Sequence, residues 1–347
     1  MEEYLSDYNN LIDYCDCHNS EESFTLQFMN HTIQFTQITK DDGTRKYKII
    51  YNGGEYYFPS VTTVIDKIRP RNEFNGWYKR LGEKVDLAEF MTDDEILKEG
   101  KKLARSYTNR IAAKGTQLHD IIENVYKIRE KDSDYHVQVA INKRVEEYPE
   151  LDTDKEYEII KSRMDKMRPF FHATEGISQE YRVFYMERVD NDGSYNPIGD
   201  PIGIAGTSDA LIRTMSPFYN KNGDVMIDVG VDLITDWKFP QNIKYPKAKF
   251  YNDVSYPLIG YALQLSAYRA GLRFTHDKDC EGALIVSNPD KGKLVYYYYY
   301  SSEVLDFYWK YYREAMIDVN FNTNRFDWTA FCQRADREGM LGERVYL

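Results

Sequence analysis

The sequence predicts an α/β fold: a central mixed β-sheet flanked by helices, with an N-terminal β meander and a helical insertion. Three observations predict it. Apolar residues alternate with polar ones across 23–58, recur at helical spacing from 59 to about 168, and alternate again from 180 to 239. A further helix and a hairpin then follow, as expected of strands and helices that share one sheet. Finally, the run Asp228 to Phe239 (DVGVDLITDWKF) is largely apolar yet closes on Asp236-Trp237-Lys238.

Taken in order, residues 1–22 read as a flexible acidic N-terminus. Residues 23–58 carry FTLQF, HTIQFTQIT, RKYKIIY and EYYF, separated by Lys40-Asp41-Asp42-Gly43 and Asn52-Gly53-Gly54, two turn signals that make a meander. A helical region spans 59–175. Ser60 is placed to cap its first helix, and Thr92-Asp93-Asp94-Glu95 marks another start. Gly115-Thr116 introduces a helix over Gln117 to Arg129, whose stripe is Leu118, Ile121, Ile122, Val125 and Ile128, with His119 and Glu123 on an adjoining face. Helices over about 136–147 and 154–168 complete the region. The core is expected over 176–320: strands at Glu180–Glu187, Ile202–Ile212 and Val225–Phe239, a helix from Pro257 to a C-cap near Gly271, a hairpin at 282–300 and a last helix over about 302–318. Residues 321–347 are left as a tail.

Composition narrows the function classes. The 347 residues carry a net charge of −11, which excludes a uniformly basic nucleic-acid coat but not a local basic groove. No stretch approaches the roughly 18–20 apolar residues of a membrane span. The N-terminus lacks a signal-peptide pattern, so a cytoplasmic location is expected, the host cytoplasm if the chain is phage-encoded. The 31 tyrosines suit half-wet surfaces and base stacking, although A·T-rich coding explains them as well. Cys15, Cys17, Cys280 and Cys332 are too scattered for a disulfide framework. Cys15-Asp16-Cys17-His18 has no second ligand pair for zinc, and no iron–sulfur cluster is expected.

Side chains alternate faces along a strand, so Asp236 and Lys238 point the same way. Their desolvation is costly unless something uses them, and Asp209, in GTSDALI, adds a second carboxylate. Two carboxylates and a lysine suit a hard divalent cation and an activated water, the chemistry of a phosphodiesterase. Taken singly, each residue has an ordinary structural explanation: a boundary histidine, an Asx turn, a same-face charge pair, a helical i,i+4 pair. Their ordered occurrence carries the argument.

That ordered set, Gly115-Thr116-x-x-His119, Gly206-Thr207-x-Asp209, Asp236-Trp237-Lys238 and Gln264-Leu265-x-x-Tyr268, resembles the RecB-like branch of the PD-(D/E)XK nuclease superfamily. With Pro59-Ser60-Val61-Thr62-Thr63-Val64 upstream and Ala262 to Tyr268 downstream, it is similar to the mitochondrial genome maintenance exonucleases and their phage relatives, over about Phe58 to Gly271.

The resemblance implies a restriction-endonuclease-like core and a Mg²⁺- or Mn²⁺-dependent deoxyribonuclease, an exonuclease preferring single-stranded ends, in DNA replication, recombination or repair. His119, Asp209, Asp236 and the backbone carbonyl of Trp237 would be metal ligands. Lys238 would orient or deprotonate the attacking water. Gln264 would hold Lys238, the water or a nearby strand, and Tyr268 would contact DNA or buttress the site. Glu180 stands where an acidic residue is often found on the first core strand; a surface glutamate is its plain alternative. Apart from the resemblance, Lys101, Lys102, Arg105, Arg110 and Lys114 form a basic helical segment suited to tracking the phosphates of a single strand, with a solvated helix face as the alternative reading, and Trp77, Tyr107 and Tyr126 are stacking candidates with core packing as theirs; DNA, single-stranded or duplex ends, is the expected partner. Replication or recombination proteins are possible partners. The alternative is an inactive, assembly-type DNA-binding module on a nuclease fold.

Overall fold

The computed structural model describes residues 20–28, 31–39, 45–69, 75–85, 88–127, 134–147, 153–190, 192–239, 257–288, 294–340 and 342–347. Residues 1–19, which hold most of the acidic N-terminus and the Cys15–His18 cluster, lie outside this set. Two compact units divide the chain, one including Arg71–Gln117 and the other formed by Ser20–Pro70 with Leu118–Leu347.

The smaller unit contains α2 (Asn75–Gly82) and the first part of α3 (Asp93–Lys127). Thr92 and Glu95 form a capping box at the start of α3: the Thr92 N–H and hydroxyl both donate to the Glu95 carboxylate at 2.8 Å. Gly82 and Gly100 let the two helices touch, since a Cβ on Gly100 would lie 1.7 Å from the Tyr78 carbonyl oxygen. α3 is one continuous helix, so Gly115-Thr116 does not open a new one; glycine costs a helix interior only about 1 kcal/mol against alanine.

The larger unit begins with the meander: β1 (Ser20–Phe28), β2 (His31–Thr39), β3 (Arg45–Tyr51) and β4 (Gly54–Pro59), paired in that order. Asn52 and Gly53, both at positive φ, make the tight β3–β4 turn. Ser60 caps α1 (Val61–Ile68) by accepting from the Thr63 N–H at 3.1 Å.

The main sheet has six strands in the order β12-β11-β10-β9-β6-β5. They are β5 (Thr174–Val189), β6 (Asp200–Thr214), β9 (Asp232–Lys238), β10 (Glu281–Asn288), β11 (Leu294–Tyr300) and β12 (Glu343–Val345). β10 runs parallel to β9 and the other neighbours are antiparallel, so the sheet is mixed. β7 (Phe218–Tyr219) and β8 (Val225–Ile227) form a small separate hairpin. Asp228 to Val231 is not strand: the Thr214 hydroxyl donates to the Asp228 carbonyl and Gly230 takes a positive φ. The supposed tail is also structured, with α8 (Trp328–Arg337) packed in the core and β12 closing the sheet.

One face of the sheet is covered by α1, α6 (Pro257–His276), α7 (Ser302–Phe321) and α8. The other is covered by the end of α3, α4 (Asp134–Glu147) and α5 (Thr153–Ala173). The meander packs against Phe184 and Ala205 through Phe35, Ile49 and Phe58. No described helix is long and apolar enough to cross a membrane.

α6 passes Gly271 and ends at His276, so Gly271 is an interior residue rather than a cap. Its function is close approach, because a Cβ there would lie 2.8 Å from Val183 on β5. Arg269, only 2% exposed, ties this helix to Asp279 and Asp306 with bonds of 2.8 Å to each. Gly271→Val is therefore expected to overpack the α6–β5 contact and lower the unfolding free energy by about 1–3 kcal/mol, measured as a reduced urea midpoint at unchanged slope.

Candidate functional site

The site is built where β6 and β9 stop pairing. Their ladder runs from Arg213 opposite Asp232 to Ala210 opposite Thr235, and Asp209 and Asp236 are the next residues on each strand. β9 stays paired with β10 through Lys238, so a notch opens on its β6 side. In place of a ladder bond, the Trp237 N–H donates to Asp209 Oδ2 at 2.6 Å. β6 also exchanges its faces here. Ile204 packs toward α6 and Ala205 toward the meander, whereas beyond Asp209 the odd-numbered Leu211 faces α6 and Ala210 and Ile212 face α5.

Glu180 occupies the matching irregularity on β5. Gln179 pairs with Ala210 and Tyr181 with Ser208, so Glu180 stands opposite Asp209 without a ladder pair and has φ +46°. Such a conformation is uncommon outside glycine and asparagine. The Glu180 side chain is 58% exposed and lies 3.6 Å from Arg182 rather than joining the other carboxylates. Its exposure is that of the surface glutamate the sequence offered as the plain alternative.

Each helix contributes along a single face. His119, on α3 just after the buried Leu118, sets Nδ1 3.3 Å from Asp209 Oδ1, and its ring meets the edge of Phe239 at 5.5 Å. From α6, Gln264 Nε2 donates to Asp236 Oδ1 at 3.3 Å and to Tyr268 Oη at 2.9 Å. Gln264 thus holds the carboxylate strand and does not touch Lys238. Tyr268 is a buried buttress, only 4% exposed, beneath the notch. Gly206 makes room for it: a Cβ there would lie 2.8 Å from the Tyr268 ring and 3.1 Å from Val61. Trp237 points to the opposite face, where Phe170 meets it edge-on at 5.7 Å.

Electrostatics sets the protonation pattern. Asp236 is 1% exposed and lies 2.5 Å from Lys238 Nζ. Burial, aided by the nearby Asp209 charge, outweighs Lys238 and pushes its carboxyl up to about 7. For Asp209, burial acts upward but His119, Lys238 and the Trp237 N–H outweigh it and hold the group below its ordinary value. Burial acts to lower both His119 and Lys238; their carboxylate partners outweigh it, and both are raised. Lys238 therefore stands in the notch as an ammonium.

Asp209 Oδ2 and Asp236 Oδ1 accept hydrogen bonds from the Trp237 N–H and Gln264, whereas Asp236 Oδ2, buried beside Lys238, accepts none; among the described residues no group of three or more His, Cys, Asp or Glu is arranged to hold a metal ion. The donor types nevertheless fit a hard divalent cation: two carboxylates on adjacent strands, one of them desolvated, with an imidazole within reach. Asp232 is structural, paired with Arg213 at 2.7 Å and Lys278 at 2.9 Å. Tyr126, proposed for base stacking, is buried and shares a hydrogen bond of 2.7 Å with Thr174. Lys101, Lys102 and Arg105 are exposed on α3; the side chains of Trp77, Tyr107, Arg110 and Lys114 lie outside the described set. Sequence reasoning missed the Trp237 N–H and the Tyr261 ring beside Lys238, for which a place one turn before Gln264 was the only signal. No family model matches the chain, and no curated protein or solved structure matches it.

The Asp236 shift has a consequence for stability. Its carboxyl keeps a proton in the folded protein up to about 7, whereas in the unfolded chain it ionises near the free value of about 3.9. Across that window the folded state binds more protons, so this group's contribution falls as pH rises. Asp236→Asn should therefore show a flatter decline in urea midpoint than wild type between about pH 4 and pH 7 in EDTA. Parallel curves would overturn the assignment of a desolvated Asp236.

Proposed function

We propose that the chain is a Mg²⁺- or Mn²⁺-dependent deoxyribonuclease with a restriction-endonuclease-like core of the RecB type, acting as an exonuclease on single-stranded ends. The observation that carries this reading is the notch itself. Two carboxylates meet where neighbouring strands part, and an ammonium is held against the more deeply buried one at 2.5 Å. An ordinary structural ion pair has no need of the second carboxylate, the parted strands or the helix residues that brace them.

Asp209 and Asp236 would hold the cation, with His119 and the Trp237 carbonyl completing the protein's share. The cation would supply Lewis acidity toward the phosphate and a lowered pKa for water. Gln264 fixes one oxygen of Asp236 and so the direction in which the carboxylate presents the other. The raised Lys238 favours a charge-stabilising part for its ammonium, facing the negative charge that builds on the phosphate, over abstraction of a proton. Attack of water oxygen on phosphorus with rupture of the bond to the 3′ oxygen leaves a 5′-phosphate and a 3′-hydroxyl.

The alternative is a DNA-binding module without chemistry on the same fold. Purified protein with end-labelled single-stranded and duplex DNA, with and without Mg²⁺ or Mn²⁺, separates the two. Metal-dependent release of nucleotides is expected, and binding without cleavage would establish the alternative. Lys238→Ala should lower the cleavage rate by about 10²–10³-fold while circular dichroism and the urea midpoint show a folded protein. Asp209→Ala and Asp236→Ala should in addition weaken Mn²⁺ binding.

A further inference from the structure

We propose that Tyr261 is a positioning residue that holds the Lys238 ammonium in the notch through the face of its aromatic ring. Residues 261, 264 and 268 fall on one face of α6, and the latter two already reach the site through the bonds from Gln264 to Asp236 and Tyr268. Lys238 Nζ lies 5.1 Å from the centroid of the Tyr261 ring, within the range of an attractive cation–π contact. Tyr261 is partly buried against the α6-side core, so the ring is fixed by packing while its face stays at the notch. The charged groups that act on it are Lys238, Asp236 and, from the end of α1, Arg69.

A second hold on Lys238 matters because of what the first one is. The ammonium sits on a flexible four-carbon stem, and its close acceptor is Asp236 Oδ2. That oxygen is also a ligand candidate in the proposed reaction, so a cation that takes it removes the anchor of Lys238. The face of an aromatic ring attracts an ammonium but offers no oxygen to a hard cation, so it does not compete for the same ion. A third carboxylate at this place would hold the lysine equally well and would draw the cation away. The kinetic consequence rests on the proposed hydrolysis; the contact itself does not.

The experiment separates the two. Reductive ¹³C-methylation of the full chain gives a dimethyl resonance for each lysine, and the Lys238 signal is identified by its absence in Lys238→Arg. A nucleus over an aromatic face is shifted upfield. The Lys238 signal should be upfield in wild type and in Tyr261→Phe, which keeps the ring, and should move toward the ordinary lysine position in Tyr261→Leu. With Mn²⁺ and single-stranded DNA, Tyr261→Leu should lower kcat by about tenfold with KM for DNA and Mn²⁺ affinity unchanged. Tyr261→Phe should stay within about twofold of wild type. A Lys238 signal that does not respond to Tyr261→Leu overturns the contact. An unchanged kcat, or a loss in Tyr261→Phe as large as in Tyr261→Leu, overturns the positioning role. A signal that moves as expected in a wild-type protein that cleaves no DNA supports the contact and overturns the proposed function instead.

Discussion

The buried carboxylate of Asp236 is the constraint around which the centre of the molecule is arranged. A carboxylate 1% exposed at the end of a strand is tolerable only if its oxygens are taken or its charge is suppressed, and both happen here. Lys238 lies against one oxygen, Gln264 donates to the other, and burial pushes the carboxyl up to about 7. Those partners come from two directions. Lys238 is on the same strand and face, which needs only the pleat; Gln264 needs α6 to lie across the sheet at a fixed height. Gly271 lets α6 approach Val183 closely, and Gly206 leaves space for Tyr268 beneath Gln264. The two glycines therefore act on the same interaction, one through the tilt of the helix and the other through the floor of the notch.

The local failure of the sheet is equally specific. Sheets lose pairing at irregularities that re-aim side chains, and such places gather at functional sites. β6 changes its inward-facing register at Asp209, β5 carries Glu180 at φ +46° opposite the same residue, and the ladder to β9 ends one residue before. Three strands thus depart from regular pairing at one level. The cost is reduced by the Asp209 carboxylate, which accepts from the Trp237 N–H that the lost ladder would have left unpaired.

Much of this was legible in the sequence, for definite reasons. The period of two predicts that Asp236 and Lys238 share a face, and period 3.6 places Gln264 and Tyr268 on one side of a helix; neither inference needs tertiary information. The meander followed from Asn52-Gly53-Gly54 between alternating runs. What was not legible depends on partners distant in the chain. Gly115-Thr116 has the composition of a helix start, yet α3 runs through it. Gly271 looks like a cap and is a contact with Val183, 88 positions earlier in the numbering. Asp228 to Val231 extends an apolar run, but Thr214 captures the Asp228 carbonyl and turns the chain. The C-terminal segment has weak strand character and becomes β12 because β11 offers it an edge. Glu180 shows the limit beside the site: it stands opposite Asp209 at a positive φ, and its carboxylate lies exposed near Arg182, a placement the sequence order does not carry.

Charge balance connects these features to the proposed chemistry. The notch holds two carboxyl groups, each with a close basic partner, His119 with Asp209 and Lys238 with Asp236. Each partner favours the charged form of the other, which offsets part of the cost of burying them. In the proposed reaction a divalent cation held by the aspartates would compete with both partners and favour the ionised form of Asp236, so its binding would be coupled to release of a proton. The ammonium would then need a hold that is neither solvent nor the cation's own ligand. Of the groups that act on Lys238, Asp236 and Asp209 are both taken in that event, and the ring of Tyr261 remains. A carboxylate raised by burial, a lysine kept charged by two carboxylates and an aromatic face beside it form one device, whose parts have their character only in each other's presence.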